Sequence, residues 1–406
     1  MGSGTGADVL VITAIKEEYD AARAALHPAE FQERDADRTA PYSLARLGSG
    51  LSVALARPVH MGGRSAGSIT TTLTNRLAPT CLAMCGVCAG NPDHTAQGDV
   101  IIAAPAYEWD EGKHTDDAFL AEPQQIPQDM SWVRTVQDFD PAVLPSYGAA
   151  TGREAAVWVL ERLFKGQIPR THPARGRYLP GAAWGTRLGQ LESEGLVRWL
   201  GDRVALTDAG RDRIQRILYM DVEGPERLPF AVRAGAMASG SAVMASGNTW
   251  ARLQPGQRKL LALDMEAATI ATIAHERKVP HWLVAKGVSD HADGGKDDRF
   301  KAFSARASAE VLFALLERLL APSPPRPAHR VPDEVRQQVL RQLTYYWQDV
   351  ADAVGVPSYE VLRFRTGDEP YELWTWLQTR SRLPELPAVL DEIGRGDLAG
   401  LLRRHI

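Results

Sequence analysis

The sequence predicts an α/β fold, a mostly parallel twisted sheet with helices on both faces, interrupted once by an inserted helical unit and followed by a C-terminal helical bundle. Three observations predict it. Short β-branched apolar runs alternate with segments of helical spacing, and that alternation builds parallel sheets covered on both faces. Between residues 151 and 220 the alternation stops and then resumes, which marks an insertion. Beyond a proline-rich linker at 322–331, residues 332–406 hold only short amphipathic helices separated by Gly and Pro. The α/β domain therefore occupies 7–150 and 221–321. With 406 residues and 44% hydrophobic content, each unit can bury a core of its own.

In chain order, DVLVITAI is an apolar run leading into KEEYDAARAAL, where Tyr19, Ala22 and Leu26 have helical spacing. LSVALARPV is the next strand, followed by a glycine turn in HMGGRSAGS and a helical ITTTLTNRL. TCLAMCGVCAG reads as a buried strand entering a tight turn, and GDVIIAAPAYEW as the strand after it. AMASGSAVMASG, a helix over MEAATIATIAHERK, the run HWLVAKGVSDHAD and a helix from Phe300 to Leu320 complete the domain. The inserted unit gives a helix in REAAVWVLERLFKG and a second in GTRLGQLESEGL, stopped at Gly195. A ribbon turned at Gly201 and Asp202 and a helix capped by Thr207 follow, a winged-helix-like order. The C-terminal bundle places Val339, Leu343, Trp347, Val350, Leu373, Trp376, Leu377, Leu390, Ile393, Leu398 and Leu402 inward.

The net charge of −4 gives no basic excess to draw the chain to nucleic acid or anionic lipid. No apolar run approaches the roughly 20 residues that span a bilayer. MGSGTG lacks the basic region of a secretory signal, and Gly6 breaks the lipidation pattern, so the expected location is cytoplasmic with no membrane partner. Cys81, Cys85 and Cys88 share the spacing of loops that hold iron–sulfur clusters. They lie in an apolar strand-like run, however, where free cysteine behaves as a small buried hydrophobe. His60, His114 and His291 lack metal-ligand spacing and are assigned to surface or core. Neither a cofactor nor a metal is expected.

Acidic residues at strand ends carry the chemistry. Glu17 and Glu18 follow the first strand, Glu266 sits in LDMEAA and Asp290 in KGVSDHAD. Breaking an N-glycosidic bond to a purine passes through an oxocarbenium-like sugar while negative charge flows onto the leaving base. It needs an acid for the base, an anion near the sugar and a base to activate water. Each residue also has an ordinary reading: a glutamate at a helix start partners the dipole, Asp290 caps a turn, and Trp250 is core. The amides of HMGGRSAG at a helix start suit an anion, and Arg64 adds positive charge there.

VITAIKEEYDA, GVCAG-x7-GDVIIA, LDMEAATIA and KGVSDHAD fall in one order along the chain, and through them it resembles the nucleoside phosphorylase and nucleosidase superfamily. That superfamily includes purine nucleoside phosphorylases and methylthioadenosine/S-adenosylhomocysteine nucleosidase. The resemblance implies that Glu18 activates water, Met265 and Glu266 hold the ribose hydroxyls, and Asp290 protonates N7 with Ser289 orienting it. It further implies that Val87, Cys88 and Ala89 line the base pocket and Trp250 lies against the base. GVCAG has no serine at its third position, which leaves base preference open. Arg64 suits either a nucleophilic phosphate or a substrate phosphate. An anionic Glu18 would repel a phosphate nucleophile, which favours hydrolysis.

In the insertion, Arg170, Arg175, Arg177, Arg187, Arg198 and Arg203 suggest DNA binding, but the second helix carries glutamates and few groove-reading side chains. Protein docking or oligomerisation ranks first, and a homo-oligomer is expected. YYWQDVADAVGV, YELWTWLQTR and LPAVLDEIGRGDLAGLLRRHI resemble a death-domain-like adaptor, which implies a protein partner. The combined expectation is a purine nucleosidase that hydrolyses the N-glycosidic bond of an adenine nucleoside or nucleotide, such as ATP, as an effector in a cell-defence system. The alternatives are a phosphate-dependent phosphorylase and a nucleoside-sensing DNA-binding regulator.

Overall fold

The computed structural model describes residues 6–34, 39–115, 119–242, 248–253, 257–293, 298–320, 331–362, 364–380 and 382–405. The chain divides into two compact units, Met1–Ala321 and Pro322–Ile406. The expected linker at 322–331 lies outside the described residues except at Val331, as does most of the glycine-rich opening.

The first unit begins with β1 (Val9–Ile12), α1 (Lys16–Ala25), β2 (Gln32–Arg34), β3 (Tyr42–Arg46), β4 (Ser52–Ala56), α2 (Gly63–Leu77), β5 (Cys81–Gly90) and β6 (Val100–Glu108). A small hairpin of β7 (Gly112–His114) and β8 (Phe119–Ala121) and the helix α3 (Met130–Gln137) follow. Next come α4 (Gly152–Phe164), α5 (Arg175–Tyr178), α6 (Ala183–Ser193), β9 (Val197–Leu200), β10 (Arg203–Leu206) and α7 (Asp208–Met220). The unit closes with β11 (Val232–Ser239), α8 (Thr249–Leu253), β12 (Leu260–Asp264), α9 (Ala267–Glu276), β13 (His281–Asp290) and α10 (Lys301–Leu320).

Among the described residues, nine strands form one sheet in the order β12-β11-β6-β13-β5-β1-β4-β3-β2. Val9 stands opposite both Val53 and Cys81, with parallel strands on each side of β1. β5 and β13 run parallel from Cys81 and His281 onward. The period of two divides the buried strands between two cores. Leu10, Ile12, Leu82, Met84 and Val284 pack with Leu73 of α2 and Ile270 of α9 on one face. Val9, Val11, Cys81, Ala83, Cys85 and Leu283 pack with Ala22 of α1, Trp132 of α3 and Leu312 of α10 on the other. With both faces covered, the strands read as continuous apolar runs, which is why they were visible in the sequence.

The structure departs from expectation at GVCAG. It is the last part of the extended β5, not a tight turn, and the turn falls at Asn91–His94. Ala89 and Gly90 stay extended because they pair with Leu263 and Ala262 of β12. The three cysteines are free and buried in this strand. The antiparallel edge formed by β2 and β3 was also unforeseen, since Gln32–Arg34 is exposed and carries no apolar pattern.

Between β6 and β11, which pair in parallel, the chain detours through α4–α7. Thr151 and Glu154 form a reciprocal capping box that starts α4, and Thr207 caps α7 through the Gly210 amide. Trp158, Val159, Leu160, Leu188, Leu191 and Ile214 make a core for this segment. The short helix α5 adds to the anticipated order of helices and ribbon.

The second unit comprises α11 (Asp333–Leu343), α12 (Trp347–Ala353), α13 (Ser358–Val361), α14 (Glu369–Thr379), α15 (Leu386–Glu392) and α16 (Gly396–Leu402). Val339, Leu343, Val350, Leu373, Trp376, Leu377, Leu390, Leu398 and Leu402 form its core, with Trp347 and Ile393 packed against it. Among the described residues no helix is long and apolar enough to cross a membrane.

Candidate active site

Parallel strands present their carboxyl ends along one edge, and the loops that follow them enclose a hollow of about 290 Å³. Ala14, Ile15 and Glu18 follow β1, Val87, Cys88 and Ala89 end β5, and Trp109 follows β6. Asp264, Met265 and Glu266 leave β12, and Ser289 and Asp290 end β13. The three acids singled out in the sequence thus share one cavity although they lie far apart in the chain.

Glu18 is buried in the first turn of α1, whereas Glu17 is exposed and pairs with Lys301 at 2.6 Å. The Glu18 carboxylate accepts from the amides of Ala14 at 2.7 Å, Val87 at 2.8 Å and Ile15 at 3.3 Å. Burial pushes its carboxyl above the usual range, against the opposing pull of the Lys286 ammonium and the Val87 amide. Gly86 makes this position possible: a Cβ there would lie 2.4 Å from Glu18 Oε1. Gly86→Ala is therefore expected to displace the carboxylate and destabilise the protein by about 1–3 kcal/mol. Urea unfolding checks this against Gly189→Ala in α6, where nothing lies within 4 Å of the added carbon and no loss is expected.

Glu266 occupies the residue before α9, a capping position. Its Oε1 accepts from the Gly62 amide at 2.8 Å, and its Oε2 lies 3.2 Å from Lys286 Nζ. Lys286 is fully buried in the middle of β13 and also pairs with Asp264 at 3.1 Å. Burial alone would lower its pKa, but Asp264, Glu266 and Glu18 together raise it above the ordinary lysine value. Asp264 is held in turn by the Ser239 hydroxyl at 2.6 Å and the Ala267 amide at 2.9 Å. Sequence reasoning missed both Lys286 and Asp264. The available signal was a lone lysine inside a strand that is otherwise buried.

Asp290 Oδ1 accepts from the Ala292 amide at 2.9 Å. Ser289 Oγ sits between Asp290 Oδ2 at 3.0 Å and the Cys88 carbonyl at 3.3 Å, joining the ends of β13 and β5. Next in the chain, His291 is buried with Nδ1 2.7 Å from the Gly90 carbonyl. Among the described residues no cluster of three or more metal-ligating side chains is found. The side chain of His114 lies outside the described ones.

Two of the residues named from the sequence lie outside the acid-lined cavity. Trp250 lines a separate hollow with Asn91 and Arg258, and its indole N–H donates to the His291 carbonyl at 2.8 Å; among the described residues, Trp109 is the aromatic side chain lining the acid-lined cavity. Arg64 lies in an adjoining cavity of about 740 Å³, which shares Met61 and Met265 with the first and also holds Glu108 and Asp110. The Gly62 amide just before α2 is bonded to Glu266 and so belongs to the acid-lined site. Burial, with Asp110 and Asp264 nearby, pushes the Glu108 carboxyl up to about 7.

Residues 200–321 match the model of the Phosphorylase superfamily, and residues 333–405 match Bacterial Death-like domain 3. The protein y4jS of Sinorhizobium fredii is 26% identical over 264 residues, covering 64% of this chain and 48% of y4jS. The 5'-methylthioadenosine/S-adenosylhomocysteine nucleosidase of Actinobacillus succinogenes is 32% identical over 91 residues, covering 22% of this chain and 39% of the nucleosidase. The chain thus spans less than half the length of either relative. Two solved structures align with a TM-score of 0.46 and cover 77% of this chain. One is the 5'-methylthioadenosine/S-adenosylhomocysteine nucleosidase of Neisseria meningitidis, at 17% identity over 99% of its own chain. The other is futalosine hydrolase of Helicobacter pylori, at 14% identity over 97%.

Proposed function

We propose that this chain, which joins a phosphorylase-superfamily unit to a bacterial death-like domain, hydrolyses the N-glycosidic bond of a purine nucleoside or nucleotide. The observation that carries this reading is the meeting of Glu18, Glu266 and Asp290 around one cavity at the carboxyl ends of the strands. Asp290 donates a proton to N7 of the leaving purine, with Ser289 bonded to it as its positioning residue. The backbone of Val87, Cys88 and Ala89 faces the base, and Trp109 supplies the flat wall. Glu266, held by Lys286 and the Gly62 amide, takes the ribose hydroxyls beside Met265. Glu18 removes a proton from the attacking water. The bond from the sugar to the purine nitrogen breaks, the water oxygen joins the sugar, and free base and sugar leave.

Glu18 must be ionised to accept that proton, and burial holds its pKa above the ordinary glutamate value. Activity is therefore lost as pH falls through this raised value and regained above it. The acid limb of kcat/KM is expected at a higher pH than an exposed glutamate would give, and Glu18→Gln removes it. A pH–rate profile on both proteins checks this.

The finer reading is an adenine nucleotide such as ATP, cleaved by an effector that its death-like domain couples to a signalling partner in cell defence. Arg64 beside the Met61 and Met265 edge supports a phosphorylated 5' group, and the joined death-like domain supports a recruited effector. Chromatography of the bases released from adenosine, methylthioadenosine, AMP and ATP tests the whole reading. Absence of free base from all four rejects it. Release from methylthioadenosine alone rejects the nucleotide.

A further inference from the structure

A second cavity, about 800 Å³, opens between the α4–α7 segment and residues Ala96, Gln97, Leu228, Arg299 and Phe300, and it is larger than the acid-lined one. Its deepest charge is Arg162, only 3% exposed. Arg162 pairs with Glu161 Oε1 at 2.7 Å, but the same oxygen also takes Arg299 at 2.5 Å and Lys165 at 3.1 Å. Three cations thus converge on a single carboxylate oxygen. Burial would raise the Glu161 pKa, yet Arg162, Arg299 and Lys165 together hold it below the usual value. Asp221 takes the other side of Arg299 at 2.6 Å, and Arg177 is paired with Asp99 at 2.7 Å. Among the described residues, Nε of Arg162 and Nε of Arg177 have no hydrogen-bond partner. A buried guanidinium with an undirected donor and a shared counter-charge favours a further anion. Arg153 and Arg227 stand exposed at the rim of the same cavity.

The wall beside these cations is aromatic. Trp158 stacks on Tyr178 with ring centres 4.9 Å apart and an interplanar angle of 12°, and His172 meets Trp158 edge-on at 5.3 Å. His172 accepts the Ala174 amide on Nδ1, which leaves Nε2 as its donor. Burial and the neighbouring arginines push its pKa down to about 3, so the ring is neutral. A flat apolar wall next to guanidinium donors has the chemistry of a heterocyclic base with a phosphate tail.

We propose that this cavity is a second ligand site, taking a nucleotide-class molecule, and that its occupancy bears on Asp290. Two structural links run between the cavities. Gln97 lines the second cavity and donates from Nε2 to the Ser289 carbonyl at 3.2 Å, next to Asp290. Arg299 and Phe300 line the second cavity, while Asp298 and Lys301 on either side of them line the first. The binding claim stands without the hydrolase reading, and only the coupling rests on it.

Inorganic tripolyphosphate, which carries no glycosidic bond, is the probe for the cationic part. Calorimetric titration of the full chain is expected to show one site per chain. Arg153→Glu combined with Arg227→Glu, both at the exposed rim, should weaken that binding at least about fivefold without lowering the melting temperature. ADP should bind this site more tightly than tripolyphosphate in an Asp290→Asn background. Absence of tripolyphosphate binding, or binding unchanged by the double reversal, overturns the site. If the probe binds but leaves the rate of base release untouched in the wild type, the coupling is overturned. Loss of base release from the wild type altogether would reject the proposed function and leave the binding result standing.

Discussion

Replacing Asp290 by asparagine is expected to lower kcat for base release by about 10²–10⁴-fold, the usual contribution of a positioned general acid. Asparagine keeps the oxygen that accepts the Ala292 amide, so the end of β13 should hold its shape and the melting temperature should change little. The loss should depend on the leaving group. A purine analogue whose base departs readily without protonation should be cleaved by the variant at close to the wild-type rate. Steady-state kinetics on an ordinary nucleoside and on such an analogue checks this. Equal losses on both substrates would remove Asp290 from the role of acid.

Lys286→Met is expected to have the largest effect on stability. Lys286 is the cation between Asp264 and Glu266, and all three side chains are almost wholly shielded from solvent. Removing one partner of a buried ionic cluster leaves uncompensated charge and costs about 3–5 kcal/mol. Urea unfolding should show this as a lower midpoint with little change in slope. Adding Glu266→Gln to Lys286→Met should recover part of the loss, because it removes one of the stranded charges. A change within the range of a surface pair, about 0–1 kcal/mol, would mean that solvent reaches this cluster.

The elements that were legible in the sequence are those whose physics is local. Val9–Ile12 and Cys81–Cys85 are buried on both faces and therefore read as unbroken apolar runs. Thr207 announced its helix because a cap is a contact within one turn. Glu18, Glu266 and Asp290 were visible because each lies at or just beyond the end of a strand, and the carboxyl ends of parallel strands lie on one edge. What escaped depends on which strands become neighbours. Lys286 finds Asp264 and Glu266 because β12 and β13 both pair with the end of β5, a sheet order that no local pattern encodes. Trp250 was placed by its position in a linear motif, whereas its indole is bonded to the His291 carbonyl and Trp109 forms the cavity wall. Arg64 was legible as a cation, whereas Glu108 and Asp110, which reach the same cavity from β6 and the loop after it, were not. Gln32–Arg34 joins the sheet as an exposed polar edge with nothing in its composition to mark a strand.

In the proposed reaction, water activated at Glu18 attacks the sugar as the purine leaves. Turnover of a purine nucleoside or nucleotide in phosphate-free buffer made with heavy-oxygen water, followed by mass spectrometry of the sugar product, tests it most directly. The expected products are free base and a sugar that carries one heavy oxygen. Turnover that requires added phosphate and yields a sugar 1-phosphate without label would contradict it.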